Sequence, residues 1–359
     1  MLALFTHSNG STYFNKMAVK YSVPLDRVLL KEAWSAVMSR HEMLRTGFIQ
    51  LHDQEYPFAM ITYQPGIDLP WNEDTVSSAE KQGRRILENF HQPTWAVDVE
   101  SDDTITTVHF SALHAIYDAQ SLTTIFSDVM ASYEGKILSE CPSIAATLGP
   151  ILVESQKSDE ASRDFWQSLA SEAHPTKFPD LHPIRIERKE LIESSMHCSA
   201  TLKELETSCQ EMGVTLQAAG QAAWARLLSA YTGEENVTFG TVLSGRNLCA
   251  AAEQAVFPCL VSVPSPHNIT GTNRELLERT VKRNASLVKN QFTPLVQIQR
   301  WLGSDEPLFD TLFVYQKFVS GPTDAKSWEV VDEDTRIDVR FVYTEKNLPI
   351  PTLTYADFS

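Results

Sequence analysis

Residues 113–122 read LHAIYDAQSL, which places His114 and Asp118 four residues apart between two stretches of different character. The run before them, TITTVHFSA at 104–112, alternates like a strand, and the run after, SLTTIFSDVMASY at 121–133, has helical spacing. A His with one ring nitrogen held by a partner can act as a general base, because imidazole titrates near neutral pH. An Asp one turn away can fix the loop, or pair with an arginine elsewhere, so that the ring stays in place. A helix opening at Ser121 adds backbone N–H groups that can stabilise an oxyanion. This combination suits acyl transfer: a proton leaves an amine or hydroxyl, and a tetrahedral centre is then stabilised. The structural alternative is a partly buried His at a strand end, with Asp118 satisfying the N–H groups of a turn. A chain of this length with ten histidines carries about half an HxxxD match by chance, so spacing alone does not decide.

A strand must carry the His and a helix must open at the Asp. Along 104–114, Val108, Phe110, Ala112 and His114 fall on one face. In the following helix Leu122, Ile125, Phe126, Val129, Met130 and Tyr133 form an apolar stripe, with Ser121 as the expected N-cap. Upstream, 24–40 has helical spacing, 44–63 reads as strands and 78–90 as a charged amphipathic helix. Residues 174–193, rich in Pro and charge, read as a linker. Beyond them, 215–231 reads as a helix capped by Thr215 and ended by Gly233, leading into the strand NVTFGTVLS. A helix near 273–290 and a strand at 309–315 follow. Trp34 and Trp224 sit on apolar helix faces and are expected in the core. Both halves mix helices and strands, so the class is α/β or α+β.

The 359 residues are enough for two ordinary domains, each with its own core. At 43% hydrophobic and 21% charged, the composition is that of a globular protein. No run approaches the ~20 apolar residues of a membrane span, and MLALFTHSNG lacks the basic start of a signal peptide. A formal charge of −16 argues against a nucleic-acid or anionic-membrane role, since both need a basic surface. The five cysteines (Cys141, Cys198, Cys209, Cys249 and Cys259) are scattered, without a CxxC pair. Neither a zinc site nor a disulfide framework is indicated, and reduced thiols in a cytoplasmic protein are the plain reading.

Four further stretches, together with the HxxxD stretch itself, bear on the question. RHEMLRTGF (40–48) resembles the RHxxLRTxF signature of the condensation domains of nonribosomal peptide synthetases, and LHAIYDAQS resembles their HHxxxDG in its fungal form. VTFGTVLSGR (237–246) is similar to FGxxxSGR, FPCLVSVP (257–264) to GPCINTVP, and LFDTLFVYQ (308–316) to the late strand-and-Gln motif. These occur in the family's order over nearly the whole chain.

The resemblance implies a mixed α/β fold of two chloramphenicol acetyltransferase-like lobes, forming a V with a central tunnel. On that basis residues 1–175 are expected to form an N-terminal lobe carrying HxxxD, 176–192 a linker, and 193–359 a C-terminal lobe. It also implies that a donor thioester and an acceptor amine, each on the phosphopantetheine arm of a carrier protein beside an adenylation domain, are joined as an amide. The product class would be a peptide or siderophore. No cofactor, metal, nucleic acid or membrane enters this scheme. By the same analogy His114 is the catalytic His, Asp118 holds its loop, and Arg246 is the ion-pair partner of Asp118 across the lobes. Arg40, Arg45 and Ser121 would support the site, while Ser244, Gly245, Tyr315 and Gln316 would line the tunnel. Simpler readings stand beside these: solvated charges for Arg40 and Arg45, a surface ion pair for Arg246, and a packed strand-end side chain for Tyr315.

The chain departs from the family at Leu113, in place of the first His, and at Ala119, in place of the Gly of DG. The family's first motif and last strands also extend past both ends of this sequence, which suggests a piece of a larger synthetase. Two other functions share the motif: a terminal domain that cyclises or releases a peptide, and a remnant that only docks carrier proteins.

Overall fold

A computed structural model describes every residue except 22, 54–56, 74–75, 158, 179–191, 196–198, 316, 319–327, 335–338, 345–351 and 356–359. The expected linker therefore lies mostly outside the described residues, as does Gln316. In chain order the elements begin with α1 (Leu2–His7), β1 (Phe14–Tyr21), α2 (Arg27–Arg40), β2 (Thr46–Gln50), β3 (Phe58–Thr62) and β4 (Trp71–Glu73). Next come α3 (Ala79–Glu88), β5 (Trp95–Ser101), β6 (Thr106–Leu113), α4 (Ala119–Tyr133), α5 (Ile144–Lys157) and α6 (Asp159–Ser168). The middle holds β7 (Ile192–Ser195), α7 (Leu202–Glu211), α8 (Leu216–Thr232), β8 (Asn236–Leu243), α9 (Ala250–Gln254) and β9 (Val261–Asn268). The last stretch has α10 (Asn273–Lys289), α11 (Leu295–Leu302), β10 (Leu312–Phe313), β11 (Lys317–Phe318), β12 (Trp328–Asp334), β13 (Val339–Thr344) and β14 (Thr352–Tyr355).

Contacts divide the chain into two units that are not consecutive pieces. The first holds Met1–Gly149, Arg246–Cys259 and Gly321–Ile337, and the second holds Pro150–Gly245, Leu260–Ser320 and Asp338–Ser359. The segment after SGR is thus grouped with the HxxxD half, and residues 150–175 with the other half.

In the first unit a five-stranded sheet runs β12-β1-β6-β5-β4, antiparallel except for the β4–β5 pair. Both of its faces are covered, which explains why β5 and the end of β6 are buried nearly without alternation. On one face Val97, Val99, Val108, Phe110 and Ala112 meet α2 and α4, where Trp34 stacks on Phe110 at 5.6 Å and meets Phe126 edge-on at 5.9 Å. On the other face α3 packs against β1 and β6. There Asp98 is fully buried and accepts hydrogen bonds from Asn72 Nδ2 (2.7 Å), the Ser77 N–H (2.9 Å) and Gln82 Nε2 (2.9 Å). One carboxylate thereby ties β4 and α3 to β5.

The second unit packs α8 and α10 on a sheet ordered β10-β8-β9. Gly240 of β8 has no room for a side chain: a Cβ would lie 2.4 Å from the Phe309 ring and 2.7 Å from Leu312. Pro264 and Pro266 fit β9 because it is an edge strand among the described residues, with an open side for a missing N–H. Of the strand expected at 309–315 only Leu312–Phe313 forms. Just before it, Phe309 makes an isolated bridge with Thr176, and the Asp310 carboxylate accepts from the Phe178 N–H (2.8 Å). Trp224 is buried, as its helix face implies. Helix α7 was not anticipated, although its Thr201–Glu204 capping box is a readable start signal.

His267 is buried in this unit, stacked on Phe239 at 4.7 Å and 2.9 Å from Ser265 Oγ. Burial, helped by the positive charges of Arg283 and Arg279, pushes its imidazole down to about 3.

Two outcomes follow from these buried groups. Asp98→Ala strands three donors and should lower stability by roughly 2–4 kcal/mol, read as an earlier urea midpoint, with Asp98→Asn milder. A midpoint unchanged in Asp98→Ala would show that water replaces the carboxylate. His267 stays neutral in the fold while the unfolded chain takes up a proton near 6.5, so its share of stability is complete above that pH. That share is lost as pH falls from about 6.5 toward about 3. His267→Gln should flatten the urea midpoint between pH 7 and 5 relative to the unsubstituted chain, and equal slopes would contradict a neutral buried imidazole.

Candidate active site

Strand β6 ends at Leu113, whose side chain is fully buried in the core. A Leu in place of the family's first His therefore extends the apolar face. His114 follows, partly exposed, with its N–H donated to the Tyr13 carbonyl at 2.8 Å. Tyr13 holds φ at +62°, a left-handed conformation that a bulky side chain adopts only at a cost. The imidazole stacks on Tyr117, with centroids 4.8 Å apart and planes 9° apart, and Nδ1 lies 3.0 Å from the Tyr117 carbonyl oxygen. A carbonyl only accepts, so this bond assigns the proton to Nδ1 and the basic lone pair of the neutral ring to Nε2. Tyr117 is itself held from β1, since Asn15 Nδ2 donates to its hydroxyl at 2.7 Å.

Asp118 caps α4, accepting from the Ser121 N–H at 2.9 Å. Ser121, expected at the cap, lies one turn inside the helix instead: a carboxylate three residues earlier serves those N–H groups better. With that N–H taken, and the Leu122 N–H bonded to the Asp118 carbonyl (3.0 Å), the helix start does not offer these two donors to an oxyanion. Ala119 is the first helical residue and does not have a positive φ, so its Cβ carries no strain at the family's Gly position.

Both carboxylate oxygens of Asp118 are directed at Arg246. Arg246 Nε donates to Oδ2 (3.0 Å) and Nη2 to Oδ1 (2.6 Å), a two-pronged contact between side chains 5% and 3% exposed. The Cys259 N–H donates to Oδ2 as well (3.2 Å). The rest of the guanidinium is satisfied too. Nη1 donates to the carbonyls of Ala252 (2.6 Å) and Ala255 (2.9 Å), and Nη2 to Ser121 Oγ and the Phe257 carbonyl (both 3.0 Å). Ser121 Oγ also accepts from the Phe257 N–H at 3.1 Å. Asp118, Ser121 and Arg246 therefore form one buried network within the first unit, and the solvated-pair reading of Arg246 is excluded. Arg246 is grouped with the compact unit that carries His114. Gly245, just before it, turns the chain with φ at +64°, and Ser244 is exposed.

The remaining candidates sit elsewhere. Arg45 is buried and bonds the carbonyls of Met38 (3.2 Å) and Tyr63, joining the end of α2 to β3. Arg40 lies 3.7 Å from Asp128. Tyr315 belongs to the second unit, where it packs near Trp224 and Phe239 and borders a cleft of about 490 Å³ with Lys203, Cys209 and Leu216. Residue-type reasoning missed three residues: the Tyr13 carbonyl takes the His114 backbone N–H, the Tyr117 carbonyl and ring hold the imidazole, and the Asn15 amide holds Tyr117.

Comparison with known proteins bears on what such a loop belongs to. The family model described as Condensation domain matches residues 3–347. The chain is 43% identical over 348 residues to nonribosomal peptide synthetase sidC of Arthroderma benhamiae, covering 94% of this chain and 7% of that protein. It is 30% identical to a hydroxamate-type ferrichrome siderophore peptide synthetase of Schizosaccharomyces pombe, covering 87% of this chain and 6% of that one. The chain thus spans under a tenth of the length of these relatives. Among solved structures, the condensation domain from the Monacolin K polyketide synthase MokA shares the fold at TM-score 0.75 and 17% identity, over 96% of this chain and 87% of that one. The first condensation domain of the calcium-dependent antibiotic synthetase does so at TM-score 0.72 and 14% identity, over 99% and 88%. With the family model matching nearly end to end, the chain belongs to the condensation-domain family.

Proposed function

We propose that this domain joins a carrier-bound acyl or peptidyl thioester to a carrier-bound amine, with His114 as the general base. The observation that supports this most directly is the Nδ1 contact with the Tyr117 carbonyl, which leaves Nε2 basic on a ring fixed by stacking. Nε2 takes a proton from the acceptor amine as its nitrogen attacks the thioester carbonyl. The C–N bond forms, the C–S bond breaks, and the released phosphopantetheine thiolate recovers a proton. Asp118 acts by position: its carboxylate is committed to Arg246, Ser121 and the Cys259 N–H, and it starts the helix that closes the His114 loop. Carrier proteins are the partners in this reading, with an adenylation domain adjacent to them. The relatives include a hydroxamate siderophore synthetase, so hydroxamate-bearing amino acids are the first substrates to try.

The test is amide formation between a loaded donor carrier and a loaded acceptor carrier. His114→Ala should lower the rate by about 10²–10⁴-fold while leaving the unfolding midpoint in place. Product that survives that substitution would remove His114 from the chemistry. A folded chain that makes no product with any pair would leave carrier docking as the better account. Arg246→Ala leaves a buried carboxylate unpaired and should cost roughly 3–5 kcal/mol, seen as a large drop in the unfolding midpoint. Asp118→Asn should lower kcat and the midpoint together without moving the acid limb of the pH–rate profile. A shifted limb would instead give Asp118 a direct field at the imidazole.

A further inference from the structure

A buried side chain from β1 is linked to the His114 ring through a single intermediary. Strand β1 runs antiparallel beside the end of β6, with Phe14 opposite Leu113 and Asn15 opposite Ala112. That register brings two contacts to the loop. The Tyr13 carbonyl takes the His114 N–H at 2.8 Å, and Asn15 Nδ2 donates to the Tyr117 hydroxyl at 2.7 Å. Asn15 and Tyr117 are 102 residues apart in the chain, and their exposures are only 1% and 3%.

Tyr117 is held at more than one place. Phe110 of the core meets its ring at 6.4 Å with the planes at 73°, and Asn15 holds its hydroxyl. The partly exposed His114 imidazole lies parallel to it, 4.8 Å away and 9° off. A stacked ring keeps its plane only while the ring beneath it keeps its own. In this plane Nδ1 stays 3.0 Å from the Tyr117 carbonyl oxygen. A neutral imidazole in water prefers its hydrogen on Nε2, the opposite tautomer to the one this carbonyl selects. An imidazole turned away from the carbonyl returns to that preference, and Nε2 then has no lone pair to offer. Packing alone does not call for an amide at position 15. An apolar pair of the same shape fills a buried site as well as a bonded polar pair.

We propose that Asn15 is a positioning residue for condensation. By anchoring the Tyr117 hydroxyl it keeps the imidazole flat on that ring, with the hydrogen on Nδ1 and the base at Nε2. Asn15 acts through Tyr117 and does not itself meet the reacting atoms. This role rests on the reading of His114 as the general base.

The test reads the imidazole nitrogens of the whole 359-residue chain by nitrogen-15 NMR, without substrates and above the pH at which the ring titrates. The His114 signals are those lost in His114→Ala. In the unsubstituted chain Nδ1 should show a protonated shift and Nε2 an unprotonated one. Asn15→Leu removes the donor, and Asn15→Leu combined with Tyr117→Phe replaces both bonded groups by apolar ones. The double variant strands neither member of the pair, so it should keep the unfolding midpoint, and it serves if the single variant does not fold. In both variants the two nitrogen shifts should move toward each other as the tautomers mix. With loaded carriers, kcat should fall by about 10–10²-fold at unchanged KM. A double variant with native midpoint, native shifts and native kcat would make the bond merely structural and overturn the proposal. Shifts that move in a chain making no amide would support the hold on the ring and remove the condensation reading. Amide made at the native rate with unmoved shifts would remove the role of Asn15 and leave that reading standing.

Discussion

Two charges withdrawn from water, on Asp118 and Arg246, hold together segments 128 residues apart in the chain. A buried pair of this kind contributes little net stability compared with an apolar replacement of the same shape. Its effect is on arrangement: either charge alone is so unfavourable in the interior that the two segments must meet in one register. The guanidinium adds four carbonyl or hydroxyl acceptors to the carboxylate, so the stretch from Arg246 to Phe257 is folded around its plane. The helix that carries Asp118 begins at the same point, and the loop between β6 and α4 holds His114.

The imidazole is consequently positioned by a layered set of contacts. Its ring rests on Tyr117, Tyr117 is held by Asn15, and the His114 backbone is pinned to the carbonyl of Tyr13. Tyr13 adopts a left-handed backbone conformation at that junction. The cost of that conformation is met by the sheet, where β1 pairs with β6 along its whole length. A sheet buried on both faces leaves little freedom for a strand end to move, which is what an orienting loop requires.

The RHEMLRTGF stretch has a comparable internal logic. Arg45 is drawn inside by carbonyl acceptors at the end of α2 and the end of β3. His41 is drawn inside by Asp128 of α4. One short motif thus fastens a helix end to a strand and to a neighbouring helix.

Much of this was legible in the residues. Periodicity alone placed α2, α3, α4, α8, α10 and β8 within a few residues, and it put Trp34 and Trp224 in the core, because burial of one face is a local pattern. The motif set gave the family, and within it the pairing of Asp118 with Arg246. Local pattern was less reliable at helix starts: Ser121 and Asp118 are both good caps by type, and the charged one won because it also had a guanidinium to meet. The sequence by itself determined which side chains could act and which faces had to be buried, since those follow from chemical type and spacing. Only the tertiary structure decided that the His114 ring rests on Tyr117, that Arg246 belongs to the unit of its carboxylate, and that His41 meets Asp128. Hydrogen-bond partners from distant segments, and backbone carbonyls above all, leave no mark on residue type, so their choice is made only when the chain packs.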